Sequence, residues 1–318
     1  MAISGKRVLV TGATGQVARP LAEALGLDNE VWAAARFTDS AARSALEARG
    51  IGTVVFHLGE PDLDHLPDVD YVIHCAVVAD PATTEEAMSI NANGAGFLME
   101  RYCDATAFFH MSSSSVYREK EDAEALYTES DELGGHTQYA PHYGMSKLVS
   151  EAVVRFQSRR LGLPAIMARL NVAYGVEGHG GLPSVLFGFM RGGVPLARVP
   201  GRRSVASPIH QDDIIEQVQA LLGHAEVGAP VVNLAGDDVV AMDDMIDYIE
   251  DLTGLEMKIV DGDHELFAVQ AADVTRRRAL AGPCSVHWRD GIRSVLHARY
   301  PDALVGAADE RDHPRQGR

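Results

Sequence analysis

The chain of 318 residues is poor in cysteine and contains no long apolar run. Its three cysteines, Cys75, Cys103 and Cys284, are far apart, which argues against a disulfide scaffold and is typical of reduced thiols in the cytoplasm. No apolar stretch reaches the roughly 18 residues that a membrane-spanning helix needs. Lys6 and Arg7 precede a short apolar stretch that runs straight into a glycine turn, a pattern that favours a first strand over a signal peptide. The sequence therefore predicts a cytoplasmic protein without a membrane span.

Basic residues are also scarce, since 28 lysines and arginines face 45 aspartates and glutamates, for a net charge of −17. Nucleic acids and anionic membranes bind basic protein surfaces, so this balance argues against both as partners. A small anionic ligand stays compatible, because a local basic cluster can oppose the overall charge. The histidines lack the paired spacing of metal ligands, so no metal is predicted. We expect a small-molecule substrate.

The first half of the chain alternates short apolar runs with longer amphipathic stretches. This alternation predicts strands at 7–10, 31–35, 54–56, 71–76, 106–111 and 165–170, with helices at 16–25, 40–49, 83–104 and 143–161. Such repetition is typical of an α/β fold, a doubly wound parallel sheet with helices on both faces. The second half is less regular, with a strand at 231–234 and helices at 242–252 and 291–299, and suits a smaller lobe.

A glycine-rich turn joins the first predicted strand to the first predicted helix. Gly12 and Gly15 allow the backbone to turn tightly and to approach a pyrophosphate. The start of the helix adds N–H groups and the positive end of the helix dipole. A plain strand-to-helix turn can show the same spacing, but its place after the first strand favours a dinucleotide site.

Hydroxyl and amine side chains occur in two further places. Tyr143 and Lys147 are one helical turn apart, so the ammonium is expected to lower the tyrosine pKa and make the phenol a proton donor and acceptor near neutral pH. Residues 112–115 are four serines at the end of the fifth predicted strand, and ligands bind at the carboxyl ends of parallel strands. Taken singly, a tyrosine and a lysine at this spacing are more often a plain surface pair, and the serine run is better explained as a polar turn.

In this order and spacing, the motifs resemble those of the extended short-chain dehydrogenases/reductases, in the NAD-dependent epimerase/dehydratase group. The resemblance rests on the turn at 11–18, the segment 72–76 with 91–94 downstream, the serine strand ending in Val116 and Tyr117, and residues 143–147. It implies a Rossmann-type fold with Ser113 at the catalytic serine position and Tyr143 as general acid/base. Lys147 would hold the nicotinamide ribose and depress the tyrosine pKa. A homodimer, formed through the helix after strand four and the helix bearing Tyr143, is also implied.

The resemblance further implies a set of cofactor-binding residues. They are Gly12, Thr14, Gly15, Gln16, Val17, Arg36, Leu58, Ala76, Asn91, Tyr143 and Lys147. Arg36 follows strand two, where an acidic residue suits a ribose 2′-hydroxyl and an arginine suits a 2′-phosphate. This favours NADP, while Asp39 nearby keeps NAD possible. His57 stands where the family often has an aspartate that reaches adenine.

The chain departs from the nucleotide-sugar members of the family at two positions. These members usually carry Arg-x-x-Asn-x-x-Gly after strand six, but here Val172 holds the asparagine position and Asn171 comes one residue early. Ala206 holds the position of an arginine four residues before His210. In the family, both positions bind the diphosphate of the substrate. Since hydrogen bonds to charged groups contribute roughly 1.5–3 kcal/mol each, the loss of both contacts could remove several kcal/mol of binding free energy.

Nearby residues leave the substrate open. Arg198, Arg202 and Arg203 could replace the missing contacts, or they could form a basic loop on an acidic protein. The 4,6-dehydratases of the group follow their catalytic threonine with Asp-Glu, whereas Ser114 and Ser115 stand here, which argues against dehydration by that route.

On sequence alone we favour an NAD(P)-dependent oxidoreductase that moves a hydride to or from a carbonyl or alcohol on a small or sugar-like substrate. The alternative is a nucleotide-sugar epimerase with tightly bound, internally recycled NAD. A third hypothesis is a non-catalytic dinucleotide-binding protein. The presence of all three predicted catalytic residues, Ser113, Tyr143 and Lys147, argues against it. The expected domains are a cofactor domain at 1–175, mainly a substrate lobe at 176–300 with some segments returning to the sheet, and a flexible tail at 301–318.

Overall fold

The computed structural model describes residues 3–79, 83–134, 141–263, 267 and 270–305. Its strands are β1 (Arg7–Thr11), β2 (Glu30–Ala35), β3 (Gly52–Val55), β4 (Tyr71–His74), β5 (Ala107–Ser113), β6 (Ala165–Leu170), β7 (Ala173–Tyr174), β8 (Leu196–Arg198), β9 (Val205–Ala206), β10 (Ile209–His210), β11 (Val231–Leu234), β12 (Val240–Ala241) and β13 (Ile259–Asp261). Its helices are α1 (Ala18–Leu25), α2 (Ser40–Glu47), α3 (Thr84–Met88), α4 (Gly94–Arg101), α5 (Pro141–Leu161), α6 (Leu182–Gly192), α7 (Gln211–Leu222), α8 (Met242–Thr253), α9 (Thr275–Ala281) and α10 (Trp288–Arg299). Within these ranges no helix has both the length and the apolar character needed to cross a membrane.

The central sheet has seven strands in the order β11-β6-β5-β4-β1-β2-β3, and all of its pairings are parallel. The predicted doubly wound parallel sheet is thereby confirmed. The chain winds in one direction from β1 to β3 and in the other from β4 onward. Because ligands of such sheets bind where the strand order reverses, the cleft is expected at the carboxyl ends of β1 and β4.

The sheet is covered on both faces, which explains why its strands are almost continuously apolar. Successive residues of β1 point to opposite sides, so that Val8 and Val10 pack in one core and Leu9 in the other. The first core includes Leu21 of α1 and Val218 of α7, and the second is built from α4 and α5. These two layers hold the carboxyl ends of the strands in fixed positions.

A third apolar core lies in the second half of the chain. It joins Leu186 of α6, Ile249 of α8 and Ile292 of α10, each of which is fully buried. Strand β11 of this half returns to the central sheet and pairs with β6. Of the expected tail, residues 301–303 form a 3₁₀ turn, and 306–318 lie outside the described residues.

The helix predicted over 83–104 is present as a continuous helical run from Thr84 to Arg101, with a π-helical turn inside it. Helix α3 gives way to a π-helical turn at Ser89–Asn93, and α4 then ends at Arg101. The interruption coincides with Asn91, whose buried side chain bonds to another segment of the backbone. Such π-turns frequently mark functional positions.

Candidate active site

The turn after β1 is held against the end of β4, where the strand order reverses. The Thr11 hydroxyl accepts a hydrogen bond from the Ala76 N–H at 3.1 Å and shares one of 2.8 Å with His74 Nδ1. Gly12 has a positive φ of 73°, and a Cβ atom there would lie 2.9 Å from Ala76 Cα. Only glycine fits this close approach without displacing backbone. The predicted residues Gly12 and Ala76 are therefore neighbours at the cleft.

The start of α1 is suited to an anion. Thr14 and Gly15 are exposed at the turn, and Val17 at the N-cap position makes no side-chain hydrogen bond. Backbone N–H groups at the beginning of a helix, together with the helix dipole, attract phosphate. The turn at 12–17 can therefore hold the pyrophosphate of a dinucleotide.

A second loop supports this turn from the other side. Gln16 donates a hydrogen bond from Nε2 to the Ala173 carbonyl at 3.1 Å, and a Cβ atom on Gly178 would lie 2.8 Å from Gln16 Cβ. Arg299, in the last turn of α10, donates to the carbonyls of Val176 at 2.5 Å and Gly178 at 3.0 Å. Sequence reasoning missed Arg299, because nothing local indicates that the end of α10 reaches this loop.

The three predicted catalytic side chains lie together at the carboxyl end of β5. Ser113 is the last residue of β5, and its hydroxyl donates a hydrogen bond of 3.1 Å to Ser115 Oγ, while the Tyr143 side chain is near enough for Ser113 to influence its pKa. Tyr143 and Lys147 lie one turn apart near the start of α5. Helix α5 packs against both β5 and β6, which brings its first turns to the sheet edge where ligands bind.

Lys147 is almost fully buried and is tied to the strand rather than to solvent. Its Nζ donates a hydrogen bond of 2.7 Å to the Met111 carbonyl in β5. Burial lowers the pKa of Lys147 to about 8, a loss that the nearby Cys75 and Glu151 offset only in part. At neutral pH the side chain still carries its proton and can donate to a ligand hydroxyl.

The predicted lowering of the Tyr143 pKa by Lys147 is wrong for this structure. Burial raises the pKa of the Tyr143 hydroxyl above its ordinary value, and its hydrogen bond with Ser113 lowers it only in part. The reason is that the loss of water around the phenol dominates, while the Lys147 ammonium is bonded to the Met111 carbonyl. Tyr143 is thus held as a protonated phenol, ready to donate.

Asn91 fixes the segment after β4 to α5. Its Oδ1 accepts a hydrogen bond from the Val78 N–H at 2.8 Å, and its Nδ2 donates to the Val78 carbonyl and to Ser146 Oγ, both at 3.0 Å. Ser146 immediately precedes Lys147, so these bonds place one wall of the cleft relative to the candidate catalytic helix. Leu58 packs against Gly94, where a Cβ atom would lie 2.3 Å from Leu58 Cδ1.

Arg36 stands exposed just beyond β2 at the same edge of the sheet. Its side chain makes no hydrogen bond or ion pair with any residue that the structure describes. Asp39, the alternative ribose partner, caps α2 instead, because its Oδ1 accepts from the Ala41 N–H at 2.9 Å. The described contacts therefore leave Arg36 available to a ligand and engage Asp39.

A buried ion pair beneath the site was not predicted. Arg169 in β6 and Glu151 in α5 are 2% and 1% exposed and approach to 2.8 Å. Glu151 also accepts a hydrogen bond of 2.6 Å from Ser112, the neighbour of Ser113. The spacing of Lys147 and Glu151 on one helix face was a usable signal, because both side chains turn to β5.

The family positions for the diphosphate remain apolar in the folded chain. Ala206 is buried in β9, and Val172 packs against the third core. Asn171 does not replace the missing asparagine, because its Nδ2 donates to the Gln270 carbonyl at 2.8 Å and its Oδ1 accepts from the Ser207 N–H at 3.2 Å. Among the described residues, no group of three or more histidine, cysteine or acidic side chains is placed to hold a metal ion.

Comparison with known proteins identifies the family. Residues 8–235 match the model of the NAD-dependent epimerase/dehydratase family. No curated protein matches the sequence significantly.

Solved structures share the fold at low sequence identity. MoeE5, solved with UDP-glucose and NAD, is 21% identical with a TM-score of 0.77, over 92% of this chain and 98% of its own. UDP-glucuronic acid 4-epimerase from Bacillus cereus, solved with NAD, is 20% identical with a TM-score of 0.77, over 93% and 99%. DesIV, a dTDP-glucose 4,6-dehydratase from Streptomyces venezuelae, is 20% identical with a TM-score of 0.79, over 93% and 97%. These likenesses establish a common fold across nearly the whole chain.

Proposed function

The chain belongs to the NAD-dependent epimerase/dehydratase family and is a nicotinamide-dinucleotide-dependent enzyme, and we propose that it is an oxidoreductase acting on a carbonyl or alcohol. The observation that carries the proposal is the juxtaposition of Ser113, at the end of β5, with Tyr143 and Lys147, one turn apart near the start of α5, where Lys147 Nζ bonds to the Met111 carbonyl of β5. In this arrangement the Ser113 hydroxyl holds the substrate oxygen. Tyr143 donates its proton to that oxygen during reduction and accepts it during oxidation.

The cofactor supplies or accepts the hydride when it is bound. The residues of this chain fit it, because Gly12 leaves the close approach to Ala76 that a side chain would fill, and the start of α1 has no capping side chain. Gly12, Thr14, Gly15, Gln16 and Val17 would hold the pyrophosphate. The Lys147 ammonium would donate to the hydroxyls of the nicotinamide ribose.

We propose NADP as the preferred dinucleotide. The support is Arg36, which is exposed after β2 without a protein partner in the described part of the chain, while Asp39 is engaged as a helix cap. The structural neighbours named above were solved with NAD, which is the alternative. Titration of the protein with NADPH and NADH tests the choice: Arg36→Ala should weaken NADPH binding about tenfold or more and leave NADH binding nearly unchanged. Equal affinities in the unaltered protein would reject it.

The second candidate function is a nucleotide-sugar epimerase, which the UDP-sugar complexes among the structural neighbours favour. An epimerase reuses its dinucleotide in every turnover and retains it, whereas an oxidoreductase must exchange it. The protein should therefore be purified without added cofactor and denatured, and the released nucleotide should be measured by chromatography. Near-stoichiometric NAD would support the epimerase, and an empty protein that binds added NADPH would support the oxidoreductase.

Tyr143→Phe tests the chemical assignment directly. The variant keeps the ring but loses the hydroxyl, so turnover of carbonyl substrates with NADPH should fall by about 100-fold or more, with dinucleotide affinity nearly unchanged. Tyr300→Phe, on a tyrosine outside this site, is the matched control and should keep full activity. An unchanged rate in Tyr143→Phe would end the catalytic assignment and favour a purely dinucleotide-binding protein.

We further propose a homodimer and the domain division expected from the sequence. Helices α4 and α5 pack side by side, and Phe156 of α5 is 63% exposed, a large apolar side chain that a second copy can cover. Light scattering should give twice the mass of 34.2 kDa, and Phe156→Glu should shift the measured mass toward that of one chain.

The proposed cofactor residues all fall within 1–175, and the third core falls mainly within the substrate lobe at 176–300. The free cysteines suit the proposed cytoplasmic location.

A further inference from the structure

A pocket of about 360 Å³ opens beside the loop that follows β8. Its lining includes Arg198, Arg202 and Arg203, the arginines that could replace the missing diphosphate contacts. It also includes the carboxylates of Asp243 and Asp261. The contacts that these arginines make decide which charge the pocket presents to a substrate.

Two of the arginines are paired with carboxylates from different parts of the chain. Arg198, which is largely buried, forms an ion pair with Asp243 in the first turn of α8. Arg202 forms one with Glu119. Glu119 lies in the segment that follows β5 and the predicted catalytic residue Ser113, so this pair joins the loop after β8 to the region of the candidate active site.

The third arginine is shared between two acids. Arg203 lies 3.3 Å from Glu124 and 3.7 Å from Asp244. The acidic run 119–124 thus faces the arginine loop at both of its ends. The pocket arginines, their acidic partners and Asp261 together form a set of three arginines and five carboxylates, so the formal charge of the set is −2. The five carboxylates are Glu119, Glu124, Asp243, Asp244 and Asp261.

We propose that the substrate is an uncharged carbonyl or alcohol compound without a diphosphate, an inference that rests on the proposed oxidoreductase function. A diphosphate needs a site with net positive charge or several free donors. Here each arginine is already neutralised, and the carboxylates remain nearby and repel an anion even when an exposed pair opens. The two family positions that would add donors hold Val172 and Ala206, which have none in their side chains.

The acidic residues Glu119 and Glu124 therefore exclude nucleotide sugars from the pocket. Removing their charges should free Arg202 as a donor, leave Arg203 with Asp244 alone, and bring the formal charge of the set from −2 to zero. The affinity for an uncharged substrate should not change when these two charges are removed, because its binding does not depend on the electrostatic potential of the pocket.

Calorimetric titration with UDP and with UDP-glucose, at low salt and with the dinucleotide already added, tests the proposal. The unaltered protein should show no binding at about 1 mM ligand. The double variant Glu119→Gln/Glu124→Gln should gain UDP binding of at least about tenfold higher affinity, and this binding should weaken as salt is added. The matched control is Asp28→Asn/Asp104→Asn, which removes two exposed carboxylates at the opposite, amino-terminal edge of the sheet and should gain nothing.

Two results would overturn the proposal. One is tight binding of UDP-glucose by the unaltered protein, with a Kd below about 100 μM. The other is a double variant that binds UDP no better than the control does, since the carboxylates would then not be the cause of exclusion. Failure of the oxidoreductase function is seen separately, as an absence of NADPH turnover or an unchanged rate in Tyr143→Phe, and does not alter the UDP titrations.

Discussion

The imidazole rings of His74 and His110 lie side by side in the core, with their centroids 5.3 Å apart on the paired strands β4 and β5. His74 bonds to Thr11, but neither ring nitrogen of His110 has a hydrogen-bond partner among the described residues. Burial, reinforced by the positive charge of Lys147, lowers the pKa of His74 to about 3 and holds that of His110 well below its ordinary value. Both rings are therefore neutral at pH 7, and in the folded protein both are buried in this unprotonated form.

This pair predicts sensitivity to acid. The unfolded chain takes up a proton on each imidazole near the ordinary pKa of 6.5, whereas folded His74 does so only near 3. Between these values the unfolded state binds more protons, so the free energy of unfolding falls as the pH is lowered, by up to about 1.4 kcal/mol per pH unit for each group. Urea unfolding at several pH values between 7 and 4 measures this slope.

His110→Phe should make the pH dependence of the free energy of unfolding less steep, because one of the two imidazoles that take up a proton on unfolding is removed. At pH 7 it should also raise the free energy of unfolding by roughly 1 kcal/mol, because two unpaired buried nitrogens disappear. His57→Phe, at an exposed histidine, serves as the control and should leave the slope as it is. An undiminished acid slope in His110→Phe would contradict the assignment.

The pKa of Lys147 predicts how dinucleotide binding depends on pH. Since burial lowers this pKa from 10.5 to about 8, the ammonium that would hold the nicotinamide ribose is lost above that value. Dinucleotide affinity should therefore fall as the pH rises from 7.5 to 9.5, by about tenfold for each lost charge-assisted interaction of about 1.4 kcal/mol. Fluorescence titration measures the affinity. Lys147→Met should bind weakly at every pH in this range, and a pH-independent unaltered protein would refute the expectation.

Gly12→Ala should abolish dinucleotide binding. The added Cβ would meet Ala76 at 2.9 Å and would also adopt a positive φ. Gly50→Ala separates these two effects, because Gly50 has a φ of 77° but no atom within 4 Å of a built Cβ. Both variants should lose roughly 1–2 kcal/mol of stability from the backbone conformation, but only Gly12→Ala should lose the dinucleotide. Equal affinities in the two variants would show that the contact with Ala76 does not matter.

Glu151 and Arg169 should prove interdependent. Burial opposes the charge of Arg169, but its hydrogen bonds to Glu151 hold the pKa of the guanidinium above its ordinary value. Arg169→Met leaves a buried carboxylate unpaired and should cost about 3–5 kcal/mol of stability. Arg169→Met/Glu151→Leu should cost clearly less, because no charge is then left without a partner. Additive losses in urea unfolding would indicate that the two groups act separately.

Much of the site followed from local patterns. Gly12 and Gly15 after the first strand, and the spacing of Tyr143 and Lys147, indicated a dinucleotide turn and a proton-transferring pair. The alternation of strands and helices predicted a parallel sheet, and the sheet topology confirms it. The prediction of the sheet succeeds because helix periodicity and strand burial depend on residues that are close together in sequence, whereas the dinucleotide turn and the proton-transferring pair stay predictions.

Other features depend on which distant residues meet. The ion pairs of Arg202 with Glu119 and of Arg203 with Glu124 join segments about 80 residues apart, and Arg299 reaches the loop at Gly178 from the end of the chain. The Tyr143 pKa was predicted with the wrong sign, since helical spacing does not show that burial would dominate and that Lys147 would bond to a strand carbonyl. The sequence by itself determined the sheet, and it indicated the candidate cofactor turn and the candidate catalytic side chains, because their patterns are local. Only the tertiary structure decided their electrostatics and the charge of the pocket beside the loop after β8, because desolvation and ion pairing depend on the packing of remote segments.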